Sequence, residues 1–155
     1  MTERTARRTL MFVRGRDLSG VVQSGRGVGA GLMSEDFVLR RLSELAGFPV
    51  VPGTLNVRLG GPLERDSSWR YIAAAEIGRD WEARSGQSGY FLAPVLIAGR
   101  YRGLAFQAEE PGGPGYPADH VELLGETHLR GALGLEDGDP ITFVVASGPV
   151  PGAPG

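Results

Sequence analysis

The chain has 155 residues and a mass of 16.4 kDa, the size of one domain. Glycine (25) and proline (11) make up nearly a quarter of it, which argues against a helix bundle and for short strands joined by tight turns. A formal net charge of −2, no cysteine, no lysine and two histidines exclude disulfides, thiolate chemistry, Cys- or His-rich metal sites, a Walker-type phosphate loop and Schiff-base catalysis, and disfavour a nucleic-acid binder.

Residues 1–9 are polar and Arg-rich and read as a flexible basic arm, 10–147 as one domain, and 148–155 (GPVPGAPG) as a flexible tail. No apolar stretch approaches the roughly 18 residues that a membrane span needs. The basic start lacks the long apolar core of a signal peptide, so a soluble, cytoplasmic monomer is expected.

After a short apolar run at Leu10–Val13, Leu18–Gln23 reads as a strand. Four glycines follow within eight residues, at 25, 27, 29 and 31. Ser34–Ala46 is the clearest helix: Ser34 can cap it, Glu35 and Asp36 favour its first turn, Phe37, Val38, Leu42 and Leu45 recur at helical spacing, and Gly47 stops it. Thr54–Leu59 alternates as a strand, with Leu55, Val57 and Leu59 on one face. Further strands are expected at Trp69–Glu76, Tyr90–Ile97, Arg100–Gln107, His120–Leu124 and Ile141–Ala146. Gly99-Arg100 is placed at a hairpin turn, and a short helix at Glu126–Leu133. One clear helix among six to eight short strands indicates an all-β barrel with small helical additions.

Three segments have residue types that suit phosphate chemistry. In Ser24–Gly31 (SGRGVGAG), glycine-freed backbone amides can converge on an anion ahead of a helix; a plain β-to-α connection would look the same. The spacing gives G-x-G-x-G, with Ala30 where a dinucleotide fingerprint wants glycine. Thr54 and Asn56 stand at i and i+2 of a strand, on the face opposite Leu55 and Val57. A hydroxyl and an amide oxygen there suit Mg²⁺ shared with a phosphate, or else face solvent. Thr127, His128 and Arg130 offer donors near a helix start, or form its cap and solvated surface. No nucleophilic serine or general base stands out, and His120 reads as structural or exposed.

In order and spacing, GVVQSGRGVGAGLM (20–33), GFPVVPGTLNVRL (47–59), APVLIAGRYRG (93–103) and HVELLGETHLRGALGLEDGDPITF (120–143) resemble the archaeal-type CTP-dependent riboflavin kinases. The resemblance covers roughly residues 18–146; its most specific parts are PGTLNVRL and the closing Glu122…Leu129-Arg130…Asp137-Gly138-Asp139 pattern. It implies a six-stranded cradle-loop β-barrel with one or two short helices, and transfer of the CTP γ-phosphate to the riboflavin 5′-hydroxyl. By the same resemblance, Gly25, Arg26, Gly27, Val28, Gly29 and Ala30 would wrap the nucleotide phosphates, and Thr127, His128, Leu129 and Arg130 would complete that site. Thr54 and Asn56 would hold Mg²⁺, and Glu122 would meet the flavin. Pro117 stands at about the place where the family has Ser or Thr near the flavin, so that flavin contact would be lost or supplied by Tyr116 or His120. Gly125-Glu126 replaces the usual Ala-Pro and puts a carboxylate beside the expected phosphate site. Alternatives are a non-catalytic flavin- or nucleotide-binding barrel, favoured by these departures, a kinase of another small alcohol, and a nucleic-acid barrel using the basic arm.

Overall fold

The computed structural model describes residues 16–23, 36–77, 89–109 and 118–146. The expectations for Leu10–Val13, for Gly25, Arg26, Gly27, Val28, Gly29 and Ala30, for Ser34, for Pro117 and for the two terminal segments lie outside the described residues.

In chain order the elements are β1 (Asp17–Gln23), α1 (Asp36–Ala46), β2 (Leu55–Leu59), β3 (Arg70–Ala73), α2 (Ala74–Ile77), β4 (Gly89–Ile97), β5 (Tyr101–Ala108), β6 (His120–Gly125), α3 (Leu129–Leu133) and β7 (Pro140–Val145). The strands form one antiparallel sheet in the order β3-β4-β5-β6-β2-β1-β7. Pairing of β4 with β7, Val95 opposite Val145 and Ile97 opposite Phe143, closes six of them into a barrel. The seventh, β3, extends the sheet along β4 beside the closure. The expected all-β barrel is therefore present, with three helices among the described residues instead of one or two.

Alternation along the strands divides the apolar residues into two layers. Leu55, Val57 and Leu59 of β2, Val121 and Leu123 of β6, and Ile141 and Phe143 of β7 point into the barrel with Val22, Val95 and Ile97. The other layer lies outside. Val38, Leu42 and Ala46 recur at helical spacing along α1 and are at most 2% exposed. They cover Leu92 of β4, Leu104 and Phe106 of β5, and Leu124 of β6. Gly47, at φ 84°, ends α1 in the left-handed region and donates its N–H to Ser43 O.

Three expectations need correction. The strand over Trp69–Glu76 ends at Ala73, and a turn of helix follows. Glu76 causes the switch: its Oε2 reaches back to accept the Ala73 N–H at 2.8 Å, the carboxylate half of a capping box. The hairpin between β4 and β5 turns on Ala98-Gly99, one residue earlier than Gly99-Arg100. Both central residues have positive φ (53° and 68°), and Arg100 N–H donates to Ile97 O at 3.0 Å, a type I′ turn. Ala98 is held at the turn's first central position by its own N–H, which donates to Thr142 O on β7. Finally, α3 starts at Leu129, because Glu126 is engaged with β5 and His128 caps the helix.

Candidate functional site on the outer barrel face

The barrel interior is filled by apolar side chains, and α1 with α2 covers the outside of β4, β5 and the end of β6. Polar outward positions remain on β1, β2 and the first half of β6. Toward the start of β2 and of β6 they include Gln23, Asn56, Arg58, His120 and Glu122, each half-buried except the exposed Arg58. Antiparallel register aligns Gln23 with Asn56 and Asn56 with Glu122, a row across three strands. One step along, Arg58 is opposite His120.

The two residues expected at the metal meet Glu122, which is expected at the flavin. Thr54 Oγ1 donates to Glu122 Oε1 at 3.0 Å, and Asn56 is the cross-strand partner of Glu122. The hydroxyl's one proton is thereby committed, while its lone pairs remain available to a cation. A hydroxyl, an amide oxygen and a carboxylate form an all-oxygen donor set, which fits Mg²⁺. Among the described residues no group of three or more His, Cys, Asp or Glu side chains is placed to hold a metal. Any cation here would need further oxygens from a phosphate or from water.

Strand direction gives this face two ends. β1 and β6 both run antiparallel to β2, so both finish where β2 begins. At that end, Gln23 leads into residue 24, Gly125 leads into Thr127–Arg130, and Thr54 enters β2. The Asp137–Asp139 turn closes the same end, since Val22 N–H donates to Asp139 O and Gly138 N–H to Val22 O. Arg130 joins it through a 2.9 Å ion pair with Asp137. The opposite end is where β6 begins, at His120. Thr127–Arg130 and the entry to β2 therefore lie at one end, the start of β6 at the other, and the Asn56–Glu122 row between.

Within Thr127–Arg130 the roles differ. His128 is exposed and its Nδ1 accepts the Gly131 N–H, so it caps α3. Leu129 is 4% exposed and packs into the barrel, so only its backbone can face a ligand. Glu126 is neutralised. It accepts from Arg102 N–H at 2.9 Å and Arg102 Nε at 3.0 Å, with Nη2 of the same guanidinium 2.9 Å away. That arginine also lies over the Phe48 ring, 4.6 Å from its centroid.

Sequence reasoning missed two arrangements beside this face. Gln23 Nε2 and His120 Nδ1 are 2.9 Å apart, a bridge from β1 to β6 that crosses over β2. Outward parity would have put both on the face; only the register reveals the diagonal contact. At the His120 end, fully buried Gln107 of β5 accepts from Arg65 Nη1 and donates from Nε2 to Ala118 O and His120 O. Arg65 lies 3.9 Å above the Phe91 ring, at the start of a turn in which Ser68 N–H donates to Asp66 Oδ1. That bond holds the Asp66 carboxyl below its ordinary range.

Among the described residues, no helix is long and apolar enough to cross a membrane. Comparison with known proteins places this arrangement in a family. A family model named for CTP-dependent riboflavin kinases, and described as a domain of unknown function, DUF120, matches residues 22–145. The chain is 33% identical over 134 residues to a riboflavin kinase of Methanospirillum hungatei, covering 83% of this chain and 57% of that one. It is 31% identical over 129 residues to one of Ignicoccus hospitalis, covering 83% and 70%, and 32% identical over 122 residues to one of Archaeoglobus fulgidus, covering 79% and 51%. It thus spans between 51% and 70% of the length of these curated relatives. Matched over most of its length, the chain belongs to the CTP-dependent riboflavin kinase family.

Proposed function

We propose that this chain transfers the γ-phosphate of CTP to the 5′-hydroxyl of riboflavin, yielding FMN and CDP, as a Mg²⁺-dependent cytoplasmic monomer. Family membership supports the reaction. The observation that supports the site is the β2–β6 register with the Thr54–Glu122 bond, which sets Thr54, Asn56 and Glu122 on one outward face.

In this reading residues 25–30 and the 127–130 backbone hold the di- and triphosphate, with Arg130 anchored near them by Asp137. Thr54 and Asn56 hold the metal, with Glu122 bonded to Thr54 beside it. Mg²⁺ bound there with the nucleotide would neutralise charge on the phosphate oxygens. Glu122 faces the ribityl chain and orients its terminal hydroxyl. Phosphoryl transfer through a loose transition state is mostly positioning and charge stabilisation, which suits a site with neutral metal ligands and arginine as its only strong cation. The carboxylate of Glu126, a reason to favour a non-catalytic barrel, is spent on Arg102 and does not oppose the phosphates.

The test is an assay of purified protein with riboflavin, Mg²⁺ and each of CTP, ATP, GTP and UTP, with FMN followed by chromatography. FMN formed mainly from CTP is expected. No FMN from any nucleotide, in protein shown to be folded, would overturn the proposal in favour of another acceptor alcohol or a binding barrel.

A further inference from the structure

We propose that Glu126 is a positioning residue for the nucleotide, acting through Thr127; this rests on the assignment of residues 127–130 to the nucleotide. The chain leaves β6 at Gly125, which is buried so tightly that a Cβ there would sit 2.8 Å from Leu129 Cδ2 and 3.0 Å from Thr127 O. From that point almost every residue up to Arg130 is tied down. Glu126 N–H donates to Arg102 O, and its carboxylate receives both the backbone N–H and the guanidinium of Arg102. His128 is committed to Gly131 N–H, Leu129 to the barrel core, and Arg130 to Asp137.

Thr127 is the exception. It is half-buried, and its hydroxyl makes no hydrogen bond to any described residue. A short turn fixed on both sides presents one uncommitted hydroxyl at the end of the face where Thr54 enters β2. The same fixed frame reaches the metal pair: Arg102 lies over Phe48, and Val51 N–H donates to Gly125 O, three residues ahead of Thr54. The charge-assisted Arg102–Glu126 pair, with Oε1 on the backbone N–H and Oε2 on the guanidinium, thus sets where Thr127 stands relative to Thr54. A freely rotating turn would lose that registry on each binding event.

The experiment is calorimetric titration of the full chain with CDP and Mg²⁺, using Glu126→Ala, Glu126→Gln, Thr127→Val and the Glu126→Ala/Thr127→Val double variant. Each Ala or Val single substitution should weaken CDP about tenfold, the scale of one lost hydrogen bond to a charged group. Glu126→Gln retains an acceptor for Arg102 N–H and should lose less. The double variant should bind no more weakly than the worse single one, because Glu126 acts through Thr127. Riboflavin affinity, read from flavin fluorescence, should be unchanged in Glu126→Ala, which general loosening of the fold would not spare. Wild-type affinity for CDP in Glu126→Ala, or losses that multiply in the double variant, overturns the inference alone. Absence of CDP binding by the wild type overturns the nucleotide assignment and the inference with it. Should Glu126→Ala fail to fold, Arg102→Met, which keeps an apolar stem over Phe48, replaces it with the same expected outcome.

Discussion

Replacing Gln107 with leucine tests how the His120 end of the face is built. Gln107 is 0% exposed, so its three polar contacts have no water to fall back on. Leucine fills similar volume but leaves Ala118 O and His120 O without the Nε2–H donors now 2.9 and 3.2 Å away, and leaves Arg65 without its acceptor. Ala118 O keeps the Leu63 N–H at 3.0 Å, so the unmet His120 carbonyl and half-buried Arg65 carry the loss, about 1 kcal/mol each and about 2 kcal/mol together. For a chain of this length that is a fall in Tm of about 6 °C. Urea unfolding followed by the fluorescence of Trp69, buried in the barrel core, should show a lower midpoint at an unchanged slope. Because both carbonyls belong to the chain entering β6, the KM for riboflavin should rise while that for CTP stays. A stability loss under about 1 kcal/mol would refute the reasoning, since it would mean that the carbonyls find other donors.

The remaining predictions concern the metal pair and the backbone. Thr54→Ala combined with Asn56→Ala should abolish Mg²⁺-dependent turnover, and undiminished FMN formation in that variant would sink the metal assignment. Ala98→Asn should stabilise the protein by about 0.5–1 kcal/mol, because asparagine tolerates the left-handed φ of 53° at a type I′ turn better than alanine does, and thermal unfolding would read the gain. Gly103→Ala should destabilise by about 1–3 kcal/mol, because its Cβ would sit 2.6 Å from both Leu124 O and Ile97 Cδ1, pushing β5 away from β6; an unchanged urea midpoint would count against that close approach.

Much of this architecture is written in local pattern. β2 could be read from Leu55, Val57 and Leu59 alternating with Asn56 and Arg58, because burial on one face imposes a period of two. The 3.6-residue recurrence of Val38 and Leu42 marked α1 for the same reason. What local pattern misses is decided by contacts distant in sequence. The end of β3 depends on one carboxylate, Glu76, bonding back to Ala73. The turn centre at Ala98 depends on Thr142, 44 residues away in sequence, accepting its N–H. At the site, Thr54 and Asn56 were legible as a pair by parity, whereas their meeting with Glu122 needs the register of β2 against β6. Glu126 looked like a misplaced charge beside a phosphate until the fold brought Arg102 to it from β5.

That meeting of Thr54 with Glu122 leaves the carboxylate between two duties, and Glu122→Gln separates them. Glutamine keeps an oxygen that can accept the Thr54 hydroxyl, so the 3.0 Å contact and the fold should survive with little change in Tm. It removes the negative charge bonded to Thr54 and halves what the side chain can accept. If Glu122 serves the ribityl chain, the KM for riboflavin should rise about tenfold, the cost of weakening a hydrogen bond to a charged acceptor, while the Mg²⁺ concentration giving half-maximal rate moves less than about twofold. If instead the carboxylate serves chiefly to draw the cation, the two readouts exchange places: the Mg²⁺ requirement climbs and riboflavin binds as before. The row geometry favours the first outcome. Thr54 and Asn56 come from β2, the middle strand of that row, and Glu122 projects from β6 at its edge, whose chain arrives from the opposite end of the face. A Mg²⁺ requirement shifted tenfold with an unaltered riboflavin KM would therefore move Glu122 from the acceptor to the metal, and with it the boundary between the two substrates.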